Sequence, residues 1–241
     1  MYGFESVVRY SEVDAHRHMT LTALLELLQD CCIFQSEHLG IGMDYLEERK
    51  RAWVLSSWQV ILKRYPLLGE KITAFTWAYE CKGFYGYRNF KVTDENGGVI
   101  AYANSIWIFM DTERMRPARI PQELAAVYSM DEPLDMEKAG RKLNIEGDCK
   151  REAPVPVQKF HIDTNQHVNN SKYVLIAQEY LPESFKIGEL RAEYKKAAVL
   201  TDTLYPRTSI KENQAVVSLE NEEGKPYAVL EFIEENKNEI R

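Results

Sequence analysis

The sequence predicts an α+β fold built from two copies of one unit, each a helix wrapped by an antiparallel sheet. Three observations predict it. The segment Val13-Asp14-Ala15-His16-Arg17-His18-Met19-Thr20 returns 149 residues later as Ile162-Asp163-Thr164-Asn165-Gln166-His167-Val168-Asn169. Each copy is followed by an apolar pattern at helical spacing and then by strand-like runs. Hairpin signals also fall at matching places, Glu95-Asn96-Gly97-Gly98 and Glu222-Glu223-Gly224-Lys225. Self-similarity on this scale constrains architecture more than local propensity does. A load of 14 Tyr, 9 Phe and 4 Trp suits pleated, half-buried strands.

In the first copy, residues 4–11 alternate loosely and read as a short strand ending at the basic-aromatic pair Arg9-Tyr10, matched later by Lys159-Phe160. Thr20 caps a helix to about His38, and Gly40 stops it. Leu21, Leu24, Leu25, Leu28, Cys31 and Cys32 recur at helical spacing. Polar residues are few among them, so the helix is expected to be buried on most sides. Strands follow at about 52–64, 70–82, 85–94 and 99–111 as a meander, punctuated by Pro66-Leu67-Leu68-Gly69 and Gly83. The second copy repeats the order. It has a strand over Val155–His161, then a helix capped by Asn169 or Asn170 that runs to about Tyr180 before Pro182. Strands at about 188–197, 201–210, 214–220 and 227–234 complete it. Lys63-Arg64 with Lys195-Lys196, and Leu67-Leu68 with Val199-Leu200, extend the register. The reading divides the chain into a repeat at 1–126, a linker at 127–154 and a repeat at 155–241. An Arg- and Pro-rich run (Arg114, Arg116, Pro117, Arg119, Pro121) and a short helix near Gln122–Tyr128 lead into the linker. A connection this long is expected to pack along the surface.

Composition narrows the function classes. With 45% hydrophobic and 28% charged residues the chain is an ordinary globular one. A net charge of −7 argues against bulk nucleic-acid binding, which needs clustered Lys and Arg, but leaves room for a local basic patch. Four Cys in 241 residues do not form a disulfide framework. The adjacent Cys31 and Cys32 read as reduced core thiols. Met1-Tyr2-Gly3-Phe4-Glu5-Ser6 has no signal-peptide pattern, and no apolar run is long enough to span a membrane, so the cytosol is the expected compartment. One helix wrapped by an antiparallel sheet, used twice, is a tandem double hotdog.

Asp163-Thr164-Asn165-Gln166-His167-Val168-Asn169-Asn170-Ser171-Lys172-Tyr173 closely resembles the signature of the acyl-acyl-carrier-protein (acyl-ACP) thioesterases, Asp-any-Asn-any-His-Val-Asn-Asn-any-Lys-Tyr, at every specified position. Asp111 with the Arg-Pro run resembles the family's stretch after the first sheet. Glu193-Tyr194-Lys195-Lys196 resembles its Glu-Tyr-Arg-Arg strand. The resemblance covers essentially the whole chain and is that of a bacterial-type member. It implies release of fatty acid from an acidic acyl carrier protein during fatty acid synthesis, with no cofactor and no metal. It also implies an acyl-chain pocket in the first repeat, for which Trp53 and Trp58 are candidate lining beside Trp77 and Trp107. A basic surface for the carrier is expected at Lys172, Arg191, Lys195 and Lys196. A homodimer is open as an assembly state. One departure stands out: where plant members continue with Glu-Cys, this chain has Ala197 and Ala198, which excludes a thiol nucleophile there. Glu193, read as lying on the same strand face as Ala197, is a poor substitute.

Thioester hydrolysis needs an activated water and a donor for the developing oxyanion. A carboxylate can orient or deprotonate water, or attack directly. Asp163 fits that role, although Asp in such a loop also commonly just closes the turn. Histidine as a residue type changes charge near neutrality, which suits His167 to moving a proton. Asn165 offers an amide to the thioester carbonyl and replaces His16 of the first copy, so the working site is assigned to the second copy. Asn169, Asn170 and the helix start beside them are candidate substrate contacts, the free N–H groups there being suited to an oxyanion. Tyr173, Ile176, Ala177 and Tyr180 share a helix face and read as core. The alternatives are an acyl-CoA thioesterase of the same fold and a non-catalytic acyl-binding module.

Overall fold

The structure, a computed structural model, describes residues 1–235, so the last six residues of the 155–241 repeat lie outside the described residues. The chain forms two compact units, Met1–Ser56 with Val60–Lys138 and Ser57–Gln59 with Ala139–Arg241.

In the first unit, β1 (Tyr2–Val7), β2 (Arg51–Leu62), β3 (Lys71–Lys82), β4 (Tyr85–Asp94) and β5 (Val99–Asp111) line up in the order β1-β3-β4-β5-β2, with the two-residue β6 (Arg116–Pro117) on β5. The helices are α1 (Leu21–His38), α2 (Met43–Glu48) and α3 (Gln122–Val127). The strands are therefore not a simple meander: β3, β4 and β5 are, but β2 crosses to the far side of β5. In the second unit β7 (Lys150–Arg151) and β8 (Val155–Pro156) are short edge pieces on β10 (Thr203–Ile210). β9 (Ile187–Tyr194) lies beside β12 (Pro226–Glu234), which pairs with β11 (Gln214–Glu220), giving β9-β12-β11-β10. α4 (Asn170–Gln178) packs on β11 and β12. The crossover of β9 repeats that of β2, so the duplication holds at the level of strand order.

α1 starts at the expected residue because Thr20 is extended and its Oγ1 accepts the Ala23 N–H at 3.1 Å. It ends where Gly40 takes φ +69°, a left-handed value that suits glycine. Leu21, Leu24, Leu28 and Cys31 are fully buried, and the helix packs on β3. Burial of each such leucine contributes about 1.5–3 kcal/mol. The adjacent thiols are free, and burial pushes Cys31 up to about 12 and Cys32 to about 11, so they are inert core groups. Beneath the helix, Arg88 is buried and donates to Gln35 and, at 2.9 Å, to Thr76. The hairpin after β4 is closed by Asp94, whose Oδ1 accepts from Asn96 and Gly98.

Several boundaries differ from expectation. The strand read over 4–11 is β1 followed by a 3₁₀ turn, Tyr10–Glu12, because Glu12 turns back to accept the Arg9 N–H at 2.7 Å. The strand read over Val155–His161 is only β8, followed by the equivalent turn Lys159–His161. These turns place Tyr10 opposite Lys159, so the two basic-aromatic pairs are one residue out of register. The second helix stops at Gln178, and its cap is Asn169 rather than Asn170. The strand read to 197 ends at Tyr194, where the Lys195 and Lys196 amides both turn onto the Tyr227 carbonyl. Glu193 and Ala197 therefore do not share a strand face. The connecting segment is tied down in pieces: Trp77 Nε1 donates to the Glu132 carbonyl, Leu134 N–H to Asn89, and Leu143 N–H to Glu193.

The cap of α1 gives a direct test. Thr20→Ala is expected to lower unfolding free energy by about 1 kcal/mol and Thr20→Ser to retain most of it, read from urea denaturation.

Candidate functional site

The repeated segment folds identically twice. In the second copy Asp163 Oδ1 accepts the amides of Asn165 (2.8 Å) and His167 (3.4 Å), and the Asp163 N–H donates to the His167 carbonyl at 2.8 Å. In the first copy Asp14 Oδ1 accepts from His16 (2.8 Å) and His18 (2.9 Å), and Asp14 N–H donates to the His18 carbonyl at 2.8 Å. The turns are completed by Gln166 (φ 62°) and Arg17 (φ 66°) in the left-handed region. One oxygen of each aspartate thus closes its loop, as the turn-closing reading of Asp163 holds.

A second layer pins the loop to the rest of its unit. Val168 N–H donates to the Ala198 carbonyl at 2.9 Å, as Met19 does to Pro66 at 2.8 Å. Val199 N–H is held by Asp202 Oδ2 and Leu67 N–H by Glu70 Oε2, each at 2.9 Å. Asn169 N–H donates to the His161 carbonyl and Thr20 N–H to that of Glu12, each at 2.8 Å.

In both copies the second carboxylate oxygen and the side chains at the Asn165 and His167 positions are left over. Asn165 is exposed, as His16 is, and the copies differ in the burial of the acid and imidazole. Asp163 Oδ2, the Asn165 carboxamide and the His167 imidazole have no hydrogen-bond partner among the described residues. They project from one closed loop. Asp163 and His167 are half-buried, whereas Asp14, His16 and His18 are all exposed. Asn169 caps α4 by accepting the Ser171 N–H at 2.9 Å, and the Asn170 carbonyl accepts the Tyr194 hydroxyl at 3.0 Å. Tyr173 is buried as expected, and its oxygen accepts the Ala198 N–H at 2.8 Å; burial pushes its hydroxyl pKa up.

The other candidates are dispersed. Trp53 belongs to the first unit, packed on Phe109 with ring centroids 4.9 Å apart, and Trp58 is buried in the Ser57–Gln59 stretch of the second. Lys172 lies in the first turn of α4. Arg191 is engaged, paired with Glu231 and donating to the Gly140 carbonyl at 2.7 Å. Lys195 pairs with the buried Glu193 at 2.8 Å, and exposed Lys196 lies over the Tyr227 ring. Among the described residues no group of three His, Cys, Asp or Glu is placed to hold a metal, and no helix is long and apolar enough to cross a membrane.

Sequence reasoning missed His161. It is 5% exposed, and its Nδ1 accepts the Gln158 N–H at 2.9 Å, the place Glu12 takes in the first copy. Its only signal was register: His161 is 149 residues after Glu12.

Comparison with known proteins decides the family. Residues 2–128 match the model of the acyl-ACP thioesterase N-terminal domain, and residues 146–225 that of the C-terminal domain. The chain belongs to the acyl-ACP thioesterase family. Among curated relatives of this family, it is 27% identical to a palmitoyl-acyl carrier protein thioesterase of Cuphea hookeriana over 78% of this chain and 50% of that one. It is 28% identical to a dodecanoyl-[acyl-carrier-protein] hydrolase of Cinnamomum camphora over 84% of this chain and 58% of that one. The chain thus spans about half the length of the curated relatives it matches. An acyl-ACP thioesterase structure from Bacteroides thetaiotaomicron superposes with a TM-score of 0.88 at 25% identity, covering 97% of each chain. The 12:0-ACP thioesterase structure of Umbellularia californica shares the fold with a TM-score of 0.84 at 21% identity, over 98% of this chain and 97% of that one. The tandem double hotdog architecture follows. At the position of the plant members' Glu-Cys, Ala197 is exposed and Ala198 fully buried, with both backbone polar groups of Ala198 committed to the signature loop and α4.

Burial, with Lys172 nearby, holds the His161 imidazole below its ordinary 6.5. The unfolded chain therefore binds the proton more readily, so this contribution to stability is intact above about pH 6.5 and is lost as pH falls through the folded pKa. Urea midpoints measured from pH 7.5 to 5 should fall more steeply for the native protein than for His161→Gln.

Proposed function

We propose that the protein hydrolyses acyl-ACP thioesters to free fatty acid and the carrier thiol, with the second repeat catalytic and the first holding the acyl chain. The observation that carries the reading is the half-buried pair on one closed loop, Asp163 with its unspent Oδ2 and the His167 ring, with the Asn165 amide between them. Water adds to the thioester carbonyl, the tetrahedral intermediate expels the carrier thiolate, and the thiolate takes up a proton. Asp163 and His167 activate the water and return the proton. Asn165, with the free Asn170 N–H at the start of α4, holds the carbonyl oxygen. Such donors act only if fixed in advance, and the tethers to Ala198 and Asp163 Oδ1 fix the backbone that carries them. Trp53 and the first repeat hold the acyl chain, and Trp58, which lies in the second unit, is not assigned to that lining. Lys172 and Lys196 offer positive charge to the carrier, while Lys195 is paired with Glu193 and Arg191 with Glu231.

Thiol release from palmitoyl-carrier, octanoyl-carrier and palmitoyl-CoA substrates tests this reading. Fast release from a carrier substrate supports it, release from the CoA ester alone moves it to the acyl-CoA class, and acyl binding without release makes the protein a binding module. Within the loop, Asp163→Asn keeps an Oδ1 acceptor for the turn while removing the carboxylate. It is expected to lower kcat about 10²-fold or more at an unchanged melting temperature. Native turnover in that variant removes Asp163 from the mechanism.

A further inference from the structure

A basic arc in the first unit has no part in the site above. Residues 49–51 and 111–119 hold six cations, Arg49, Lys50, Arg51, Arg114, Arg116 and Arg119, against two carboxylates, Asp111 and Glu113, in a chain whose net charge is −7. The fold brings the two segments together. Thr112 N–H donates to the Lys50 carbonyl at 3.1 Å, β6 sets Arg116 against Asp111, and Ala118 N–H returns to the Phe109 carbonyl at 2.8 Å. Asp111 is already spent: its Oδ1 accepts from Glu113 and Arg114, and its Oδ2 pairs with Arg51 at 3.1 Å. The other five cations are exposed. At the tip of the same turn Met115 is 71% exposed with φ 49°, an apolar side chain displayed between two arginines.

Beside the arc lies a cavity of about 300 Å³. Its buried lining is Phe109 and Leu124, joined by Leu46 and Pro121, and Arg49 and Arg51 stand over it. Arg49 is held in place by stacking 3.7 Å above the Tyr45 ring. That volume is at the small end of ligand pockets and suits an apolar side chain inserted from a partner. The socket is lined in part by Arg49, paired with Glu48 at 3.5 Å, and Arg51, paired with Asp111 at 3.1 Å, and is neighboured in the arc by the exposed Arg114, Arg116 and Arg119. An apolar socket so placed is the complement of a surface that carries carboxylates around an apolar anchor.

We propose that this arc and socket form a docking surface for the acidic carrier protein on the first unit, in addition to the lysine charges of the second. The proposal rests on the thioesterase reading for the identity of the partner, and its geometry is independent of the catalytic loop. Charge on the arc steers encounter, and the socket with Met115 supplies the apolar contact that slows release.

The test is binding of fluorescently labelled holo-carrier protein, followed by anisotropy, to the native protein, to Arg114→Glu/Arg119→Glu and to Leu46→Trp, with circular dichroism confirming that each is folded. Hydrolysis of an acyl-N-acetylcysteamine thioester, which carries no protein, is measured in parallel. Charge reversal is expected to weaken carrier binding about tenfold or more and to flatten its salt dependence. Filling the socket is expected to weaken binding severalfold, with small-thioester hydrolysis unchanged in both variants. Equal carrier binding by all three proteins, or none by the native protein, overturns the proposal. Absence of small-thioester hydrolysis in the native protein counts against the catalytic reading alone, because carrier binding still decides the surface.

Discussion

The structure depends on how a five-residue loop satisfies its own backbone. Buried or half-buried amides must find acceptors, and the loop between Asp163 and His167 has neither helix nor ladder to supply them. Asp163 Oδ1 takes two of those amides, and a backbone bond across the base of the loop takes a third. Because the acceptor is a carboxylate, it has a second oxygen that the fold does not use. The arrangement that closes the turn therefore also presents a rigidly aimed acceptor beside a helix start. Turn closure and the proposed catalytic role are not rival readings of Asp163, because each calls on a different atom.

The duplicated copy separates these two contributions. Asp14 closes its loop with the same bonds, and Glu70 and Pro66 stand in for Asp202 and Ala198 as its outer tethers. Nothing in the frame distinguishes the copies. What distinguishes them is the exposure of the acid and imidazole and the side chains between. Asp14 and His18 are exposed where Asp163 and His167 are half-buried, and Ala15, His16 and Arg17 stand where the second loop carries the exposed Thr164, Asn165 and Gln166. A carboxylate or imidazole in open solvent acts through a high dielectric, whereas partial burial strengthens every field in the site. The frame therefore serves folding in both copies, whichever of them carries the proposed chemistry.

How much could be read beforehand follows the same division. α1, β4, β5 and β11 were legible residue by residue, because their ends coincide with strong local signals: the Thr20 cap, Gly40, and the turns at Gly83 and Gly97. The segments that misled were those where a side chain overrides the local pattern. Arg9–Glu12 and Gln158–His161 have strand-like composition, but Glu12 and His161 each reach back three residues to an amide and curl the chain. The crossing of β2 to the far side of β5 was invisible, since strand order is set by which edges remain unpaired after the hairpins form, not by any residue in β2. Of the candidate site, the loop and its three side chains were legible from the repeat. The tethers at Ala198 and Tyr173, and the engagement of Arg191 by Glu231, were not, because they join residues 25 to 40 positions apart.

The Ala197-Ala198 departure is explicable on these terms. The frame uses position 198 through its backbone alone: the carbonyl receives Val168 and the amide gives to Tyr173. Any side chain small enough for a fully buried site leaves those bonds intact, so a change between Cys and Ala alters the chemistry on offer without altering the loop. Position 197 is exposed and bears no frame bond, so it is freer still. A chain with alanine at both places keeps the loop geometry whole, and the proposed function assigns the chemistry to the loop. The half-buried carboxylate and imidazole, held four residues apart across a closed turn, are the groups on that loop with a proton to take and to give.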